Sequence, residues 1–138
     1  MYFPKGLLSA LLLQLLLLQI STSSDTISFD HSIKDGEFLV SKNETFVLGF
    51  FSPGTSSNRY VGIWYKFSAE LVLWVANRDN PVNDTTGILT VGSDGNLVLV
   101  RNNSLSMPMW STNLSASSSS NNTITAQLLD SGNYFFLS

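Results

Sequence analysis

The side chains that could carry acid–base or nucleophilic chemistry are few: one histidine, ten carboxylates and no cysteine in 138 residues. The missing thiols exclude thiolate zinc sites and cysteine nucleophiles. His31 lies near the start of the polar part of the chain, with no recognisable Ser or Cys arrangement around it, and reads as an exposed loop residue. A glycosidase needs two carboxylates facing each other across a cleft. Asp35, Glu37, Glu44, Asp79, Asp84 and Asp94 are available for this, but they sit mainly in turn contexts. The sequence therefore nominates no catalytic residue, no metal ligand and no cofactor. A net charge of −3 and a pI near 4.8 provide no basic field for phosphate backbones, so nucleic acid is not an expected partner.

Two other sets of residues invite a reading. Asn43, Asn83, Asn102, Asn113 and Asn121 each open an N-x-S/T sequon without proline in the middle, and are expected in surface loops that can carry glycan. Trp64, Trp74 and Trp110 could form a platform on which a sugar ring stacks. Their position inside apolar runs favours an aromatic core instead, where each ring buries a large area.

The elements that position these residues begin after a leader. Met1–Lys5 carries one positive charge, Gly6–Ile20 is dominated by leucine, and Ser21–Ser24 supplies small residues. Basic flank, apolar run and small-residue exit make a secretory signal, with cleavage expected between Ser24 and Asp25. The run is short for a membrane span, which needs about 20 apolar residues. No span is expected after cleavage, and the domain is expected to occupy 25–138, outside the cell. About 114 residues make one domain, large enough to bury a core without disulfides.

No sustained 3.6-residue apolar period follows Asp25. Short β-branched and aromatic runs predict strands at Phe38–Ser41, Phe46–Phe51, Tyr60–Tyr65, Leu71–Ala76, Ile88–Val91, Leu97–Val100, Pro108–Ser111, Thr125–Leu129 and Tyr134–Leu137. Ser52-Pro53-Gly54-Thr55, Asn80-Pro81 and Ser93-Asp94-Gly95-Asn96 punctuate them as turns. The serine-rich stretch Leu114–Asn122 reads as a solvated loop. Ser93–Val100 recurs about 37 residues later as Asp130–Leu137, with a fainter copy at Ser41–Leu48. Such a repeat favours a pseudo-symmetric all-β architecture over a Greek-key sandwich, because one unit cannot bury its own apolar face.

The segments Phe46-Val-Leu-Gly-Phe-Phe-Ser-Pro-Gly54, Tyr60-Val-Gly-Ile-Trp-Tyr-Lys66 and Trp74-Val-Ala-Asn-Arg-Asp-Asn-Pro81 closely resemble plant S-locus glycoproteins and G-type lectin S-receptor-like kinases. Asp94-Gly-Asn-Leu-Val-Leu99 and Ala126-Gln-Leu-Leu-Asp-Ser-Gly-Asn133 continue the likeness in the same order, over nearly all of the chain from Asp25 on. The resemblance implies a bulb-lectin β-prism (β-prism II) of three four-stranded sheets about a pseudo-threefold axis, with the tryptophans at its centre. It also implies that a following Trp-containing segment would complete the last sheet, so the prism is expected to be incomplete at its C-terminal end. The family's kinase signatures, a Gly-rich phosphate loop with its lysine and an H-R-D segment, do not occur in this sequence.

In the mannose-binding bulb lectins that the resemblance implies as ancestors, the sugar site reads Gln-x-Asp-x-Asn-x-Val-x-Tyr. Asp94, Asn96 and Val98 match its middle, while Gly92 replaces Gln and Val100 replaces Tyr. Asp130 and Asn133 are spaced too widely, and nothing usable surrounds Asn43. Asp94-Gly95-Asn96 also suits a hairpin turn for backbone reasons alone, and that reading is favoured. The expected function is non-catalytic recognition: of a peptide or an S-domain receptor partner, or weakly of a mannose-type glycan. A working mannose lectin and a degenerate receptor fragment are the alternatives.

Overall fold

A computed structural model describes residues 24–102, 107–114 and 124–137. The expected leader (all but Ser24), most of the serine-rich loop and the sequon at Asn121 lie outside them. Eleven strands are present among the described residues: β1 Thr26–Ser28, β2 Ile33–Lys34, β3 Phe38–Val40, β4 Phe46–Phe51, β5 Tyr60–Tyr65, β6 Ser68–Val75, β7 Gly87–Val91, β8 Leu97–Arg101, β9 Trp110–Ser111, β10 Thr125–Leu128 and β11 Tyr134–Leu137. They form three antiparallel sheets, ordered β1-β10-β11, β2-β7-β8-β9 and β3-β4-β5-β6. No helix among these residues is long and apolar enough to cross a membrane.

Each sheet is built on one of the repeated hairpins. Gly95, Gly132 and Glu44 all adopt positive φ, at 82°, 83° and 60°. Their amides close the same tight turn, onto the carbonyls of Gly92 (3.0 Å), Leu129 (3.0 Å) and Ser41 (2.8 Å). The faint third copy is therefore a structural copy, with Glu44 holding a left-handed position that usually goes to glycine. It is also one residue longer, since Ser41 N–H reaches Phe46 O, whereas Gly92 reaches Asn96 and Leu129 reaches Asn133 over four residues.

Inward residues of all three sheets meet in a single cluster whose deepest members are aliphatic, among them Ile27, Leu48, Ile63, Leu89, Leu99 and Leu128. At roughly 25 cal/mol per Å² of apolar area, this shared core is the main stabilising term. It takes the place of the absent disulfides. The expectation that all three tryptophans occupy the centre needs correction. Trp74 and Trp110 are half-buried, pack against the core, and meet edge to face at 5.7 Å. Trp64 is buried on the opposite face of its sheet, between Phe38 at 6.0 Å and Phe51 at 5.9 Å. The alternation of side chains along β5 explains this: Ile63 faces the core, so its neighbour faces away.

Two strands escaped the sequence reading. β1 and β2 are short and hold one buried aliphatic residue each, Ile27 and Ile33, too little for a periodic signal. Their pairing is distant: Ile27 sits opposite Ala126 and Ile33 opposite Leu89. The predicted Leu71–Ala76 begins earlier, at Ser68, because register shifts opposite Trp64 let β6 bulge along β5. The predicted Pro108–Ser111 pairs only over Trp110 and Ser111. The sheet of β1, β10 and β11 has three strands among the described residues, against four in each of the other two.

Candidate functional site: the β7–β8 hairpin

β7 and β8 pair in register from Gly87↔Arg101 to Val91↔Leu97, so the turn between them presents Gly92, Ser93, Asp94, Gly95 and Asn96. Asp94 is exposed, and its carboxylate folds back onto its own hairpin. Oδ1 accepts the Asn96 N–H at 3.1 Å, and Oδ2 accepts from the Asn96 side-chain amide at 2.9 Å. These bonds, the side-chain one foremost, hold the Asp94 pKa below the usual carboxylate range.

Asn96 is only 4% exposed, and its amide is fully committed. Its nitrogen donates to Asp94 and, at 3.4 Å, to the Leu114 carbonyl. Its oxygen accepts from Thr112 Oγ1 at 2.9 Å and from Leu114 N–H at 2.7 Å. Thr112 in turn accepts Leu97 N–H at 3.2 Å. Asn96 thus pins the segment after β9 against the hairpin, and no amide valence is left for a ligand.

The remaining motif positions follow the same logic. A Cβ at Gly92 would lie 3.1 Å from Asp94 Oδ1, so glycine leaves the space into which the carboxylate folds. Val98 and Val100 retain 6% and 1% exposure, so neither offers an open apolar platform for a sugar ring. At the hairpin tip, a Cβ on Gly95 would stand 2.5 Å from Ile124 Cδ1, so the chain entering β10 lies against this turn. In the second copy, Asp130 reaches away and accepts Asn43 N–H at 2.8 Å, joining two hairpins.

Four of the other candidate carboxylates are spent on separate structural tasks, whereas Asp79 is simply exposed beside the Asn80-Pro81 turn. Asp35 and Arg59 form a bidentate pair at 2.7 and 2.8 Å, which raises the Arg59 pKa. Glu44 pairs with Lys66, and Asp84 with Arg101, each at 2.7 Å. The hydroxyl and backbone N–H of Thr86, then Arg101, lower the Asp84 pKa to about 2. Glu37 Oε1 accepts Lys34 N–H at 3.1 Å. No group of His, Asp and Glu among the described residues is placed to hold a metal. His31 is exposed and exchanges backbone hydrogen bonds with Ser28. The sequon residues Asn43, Asn83, Asn102 and Asn113 are all exposed.

Sequence reasoning did not single out Thr112 and Leu114, because a partner 16 to 18 residues away leaves no local trace. It also passed over Asn77, which is 2% exposed. Asn77 Oδ1 accepts Val61 N–H at 2.9 Å, and its amide donates to the Arg59 and Asn80 carbonyls. A polar residue directly after the apolar run ending at Ala76 was the available signal.

Comparison with known proteins places this geometry. Residues 71–138 match the family described as D-mannose binding lectin. The G-type lectin S-receptor-like serine/threonine-protein kinase B120 of Arabidopsis thaliana is 40% identical over 138 residues, covering 96% of this chain. The related kinase RKS1 of the same plant is 44% identical over 118 residues, covering 85%. The chain spans only 16% and 14% of those two proteins. Among solved structures, the mannose-specific agglutinin of snowdrop (Galanthus nivalis) bulbs, complexed with methyl-α-D-mannoside, superposes with a TM-score of 0.60 at 16% identity. That match covers 83% of this chain and 90% of the agglutinin. A Japanese Marasmius oreades lectin gives 0.58, also at 16% identity, covering 83% and 82%. Three β-sheets around one core, a hairpin repeated in each, and relatives at 40% and 44% identity agree: the chain belongs to the bulb-type lectin domains, in the form found in G-type lectin S-receptor-like kinases.

Proposed function

We propose that this domain is an extracellular, non-catalytic recognition module of S-domain receptor type, with 1–24 as its cleaved signal and 25–138 as its lectin domain. It binds a protein or peptide partner rather than mannose. The observation that carries this reading is the Asn96 amide: the group that would hold sugar hydroxyls is used up by Asp94, Thr112 and Leu114. A millimolar monosaccharide site has only about 4 kcal/mol to begin with. Losing the Gln and Tyr contacts at roughly 1 kcal/mol each removes about half of it, before the cost of freeing Asn96. The likeness to the mannoside-bound snowdrop agglutinin favours a second reading, weak binding of a mannose-type glycan.

Expression in plant cells tests the proposal. The account expects the protein in the medium, with a new N-terminus near Asp25 and a mass that falls on treatment with N-glycosidase. It also expects passage through immobilised mannose without retention. An intracellular, unglycosylated product, or retention released by free mannoside, overturns it.

A further inference from the structure

The sheet of β3, β4, β5 and β6 is apolar on both faces. Leu48 and Ile63 face the core, whereas register places Phe51, Tyr60, Trp64, Val72 and Val75 on the other side. There Phe51 packs between Tyr60 and Trp64, each ring centre 5.9 Å away. Its ring lies directly over Gly62, where a Cβ would come within 2.8 Å. Beside it runs an open groove of about 350 Å³, lined by Phe51, Pro53, Tyr60, Val72, Val75 and Arg78. Leu71 and Leu73, on either side of Val72 in β6, add exposed apolar surface along this edge strand, at 52% and 49%. A contiguous apolar surface of this kind marks an interaction site more often than scattered single residues do.

Charge indicates what the groove accepts. Its only charged lining residue is Arg78. Arg59, Lys66 and Arg101 are all held in ion pairs, whereas Arg78 has none among the described residues. An uncommitted guanidinium beside aromatic rings, in a chain of net charge −3, selects a carboxylate next to an apolar group. The volume accommodates one or two large side chains. No sequon asparagine lies on β4, β5 or β6 themselves.

We infer that this groove receives an extended segment of a partner protein. An aromatic or aliphatic side chain packs against Phe51, Tyr60 and Val72, and a neighbouring Asp or Glu pairs with Arg78. The inference rests on the protein-recognition reading above and adds to it a place and a chemistry.

The test titrates fluorescein-labelled Gly-Trp-Glu-Gly into the full secreted chain by fluorescence polarisation, alongside Gly-Trp-Lys-Gly and Gly-Ser-Glu-Gly. The Trp-Glu peptide is expected to saturate and to bind about tenfold more tightly than either counterpart. In Arg78→Glu, an exposed and conservative-for-folding position, the preference is expected to reverse towards the lysine peptide. A merely structural defect weakens all three peptides alike and cannot invert their order. Absence of saturable binding by the Trp-Glu peptide, or an unchanged preference in Arg78→Glu, overturns the inference. A parallel titration with methyl-α-D-mannoside keeps the two readings apart. Asn96-dependent mannoside binding overturns the broader reading, whereas the charge reversal depends on the groove alone.

Discussion

Replacing Asn96 with alanine removes one buried amide and leaves three groups without their partners. The Leu114 N–H and the Thr112 hydroxyl lose their acceptor, and Asp94 Oδ2 loses its donor. The charged bond is worth about 2 kcal/mol and the two neutral ones about 1 kcal/mol each, for a total of about 4 kcal/mol. The 3.4 Å contact to the Leu114 carbonyl adds little. Against a typical domain stability of about 5–15 kcal/mol, that is a severe loss. For about 114 residues it corresponds to a fall in Tm of roughly 17 °C. Thermal melts of the secreted chain, followed by near-ultraviolet circular dichroism, measure it directly. Thr112→Val loses the bonds to Asn96 and from Leu97 N–H, and should cost about 2 kcal/mol alone but only about 1 kcal/mol on top of Asn96→Ala, because the two share one bond. The pH dependence has a definite sign. The native Asp94 pKa is depressed, so its contribution is present above the unfolded carboxylate pKa and is lost as pH falls through the folded value. The Asn96→Ala penalty should therefore shrink in acid. A fall of less than about 1 kcal/mol at neutral pH would refute the reasoning that Asn96 is a structural clamp.

Four further outcomes follow from neighbouring geometry. Asp84→Asn should flatten the acid limb of stability: the wild-type contribution is complete above pH 4 and disappears as pH falls towards about 2, which melts across that window will show. Asp35→Ala strands Arg59 without its bidentate carboxylate, itself only 6% exposed, and should cost about 2–3 kcal/mol in urea unfolding. Gly62→Ala should cost about 2 kcal/mol, because the new methyl meets the Trp74 carbonyl at 2.8 Å. Gly49→Ala should cost less in the same assay, since its closest obstacle, at 2.5 Å, is the half-exposed Phe38 ring, which can turn away.

Sequence legibility followed the range of the interaction. The runs Phe46–Phe51 and Tyr60–Tyr65 are strands as read, because six consecutive apolar or glycine residues, mostly aromatic or β-branched, between turns carry a local signal. The repeated hairpin was legible for the same reason, down to the faint copy whose Glu44 adopts a glycine-like φ of 60°. What needed the third dimension was pairing at a distance. Ile27 alone could not announce a strand completed by Ala126, and Trp64 could not declare which face of its sheet it occupies. At the hairpin, the residue types were legible and their employment was not. Asp94 and Asn96 suit a sugar and suit a turn, and the difference lies in Thr112 and Leu114, brought in from beyond β9.

Calorimetric titration of methyl-α-D-mannoside into the folded, secreted domain tests the central claim most directly. The account predicts no saturable heat at millimolar sugar, from a sample that melts cooperatively. Millimolar binding that disappears in Asp94→Ala while the melt stays cooperative would contradict it, because Asp94 and Asn96 would then be serving a ligand rather than their own hairpin.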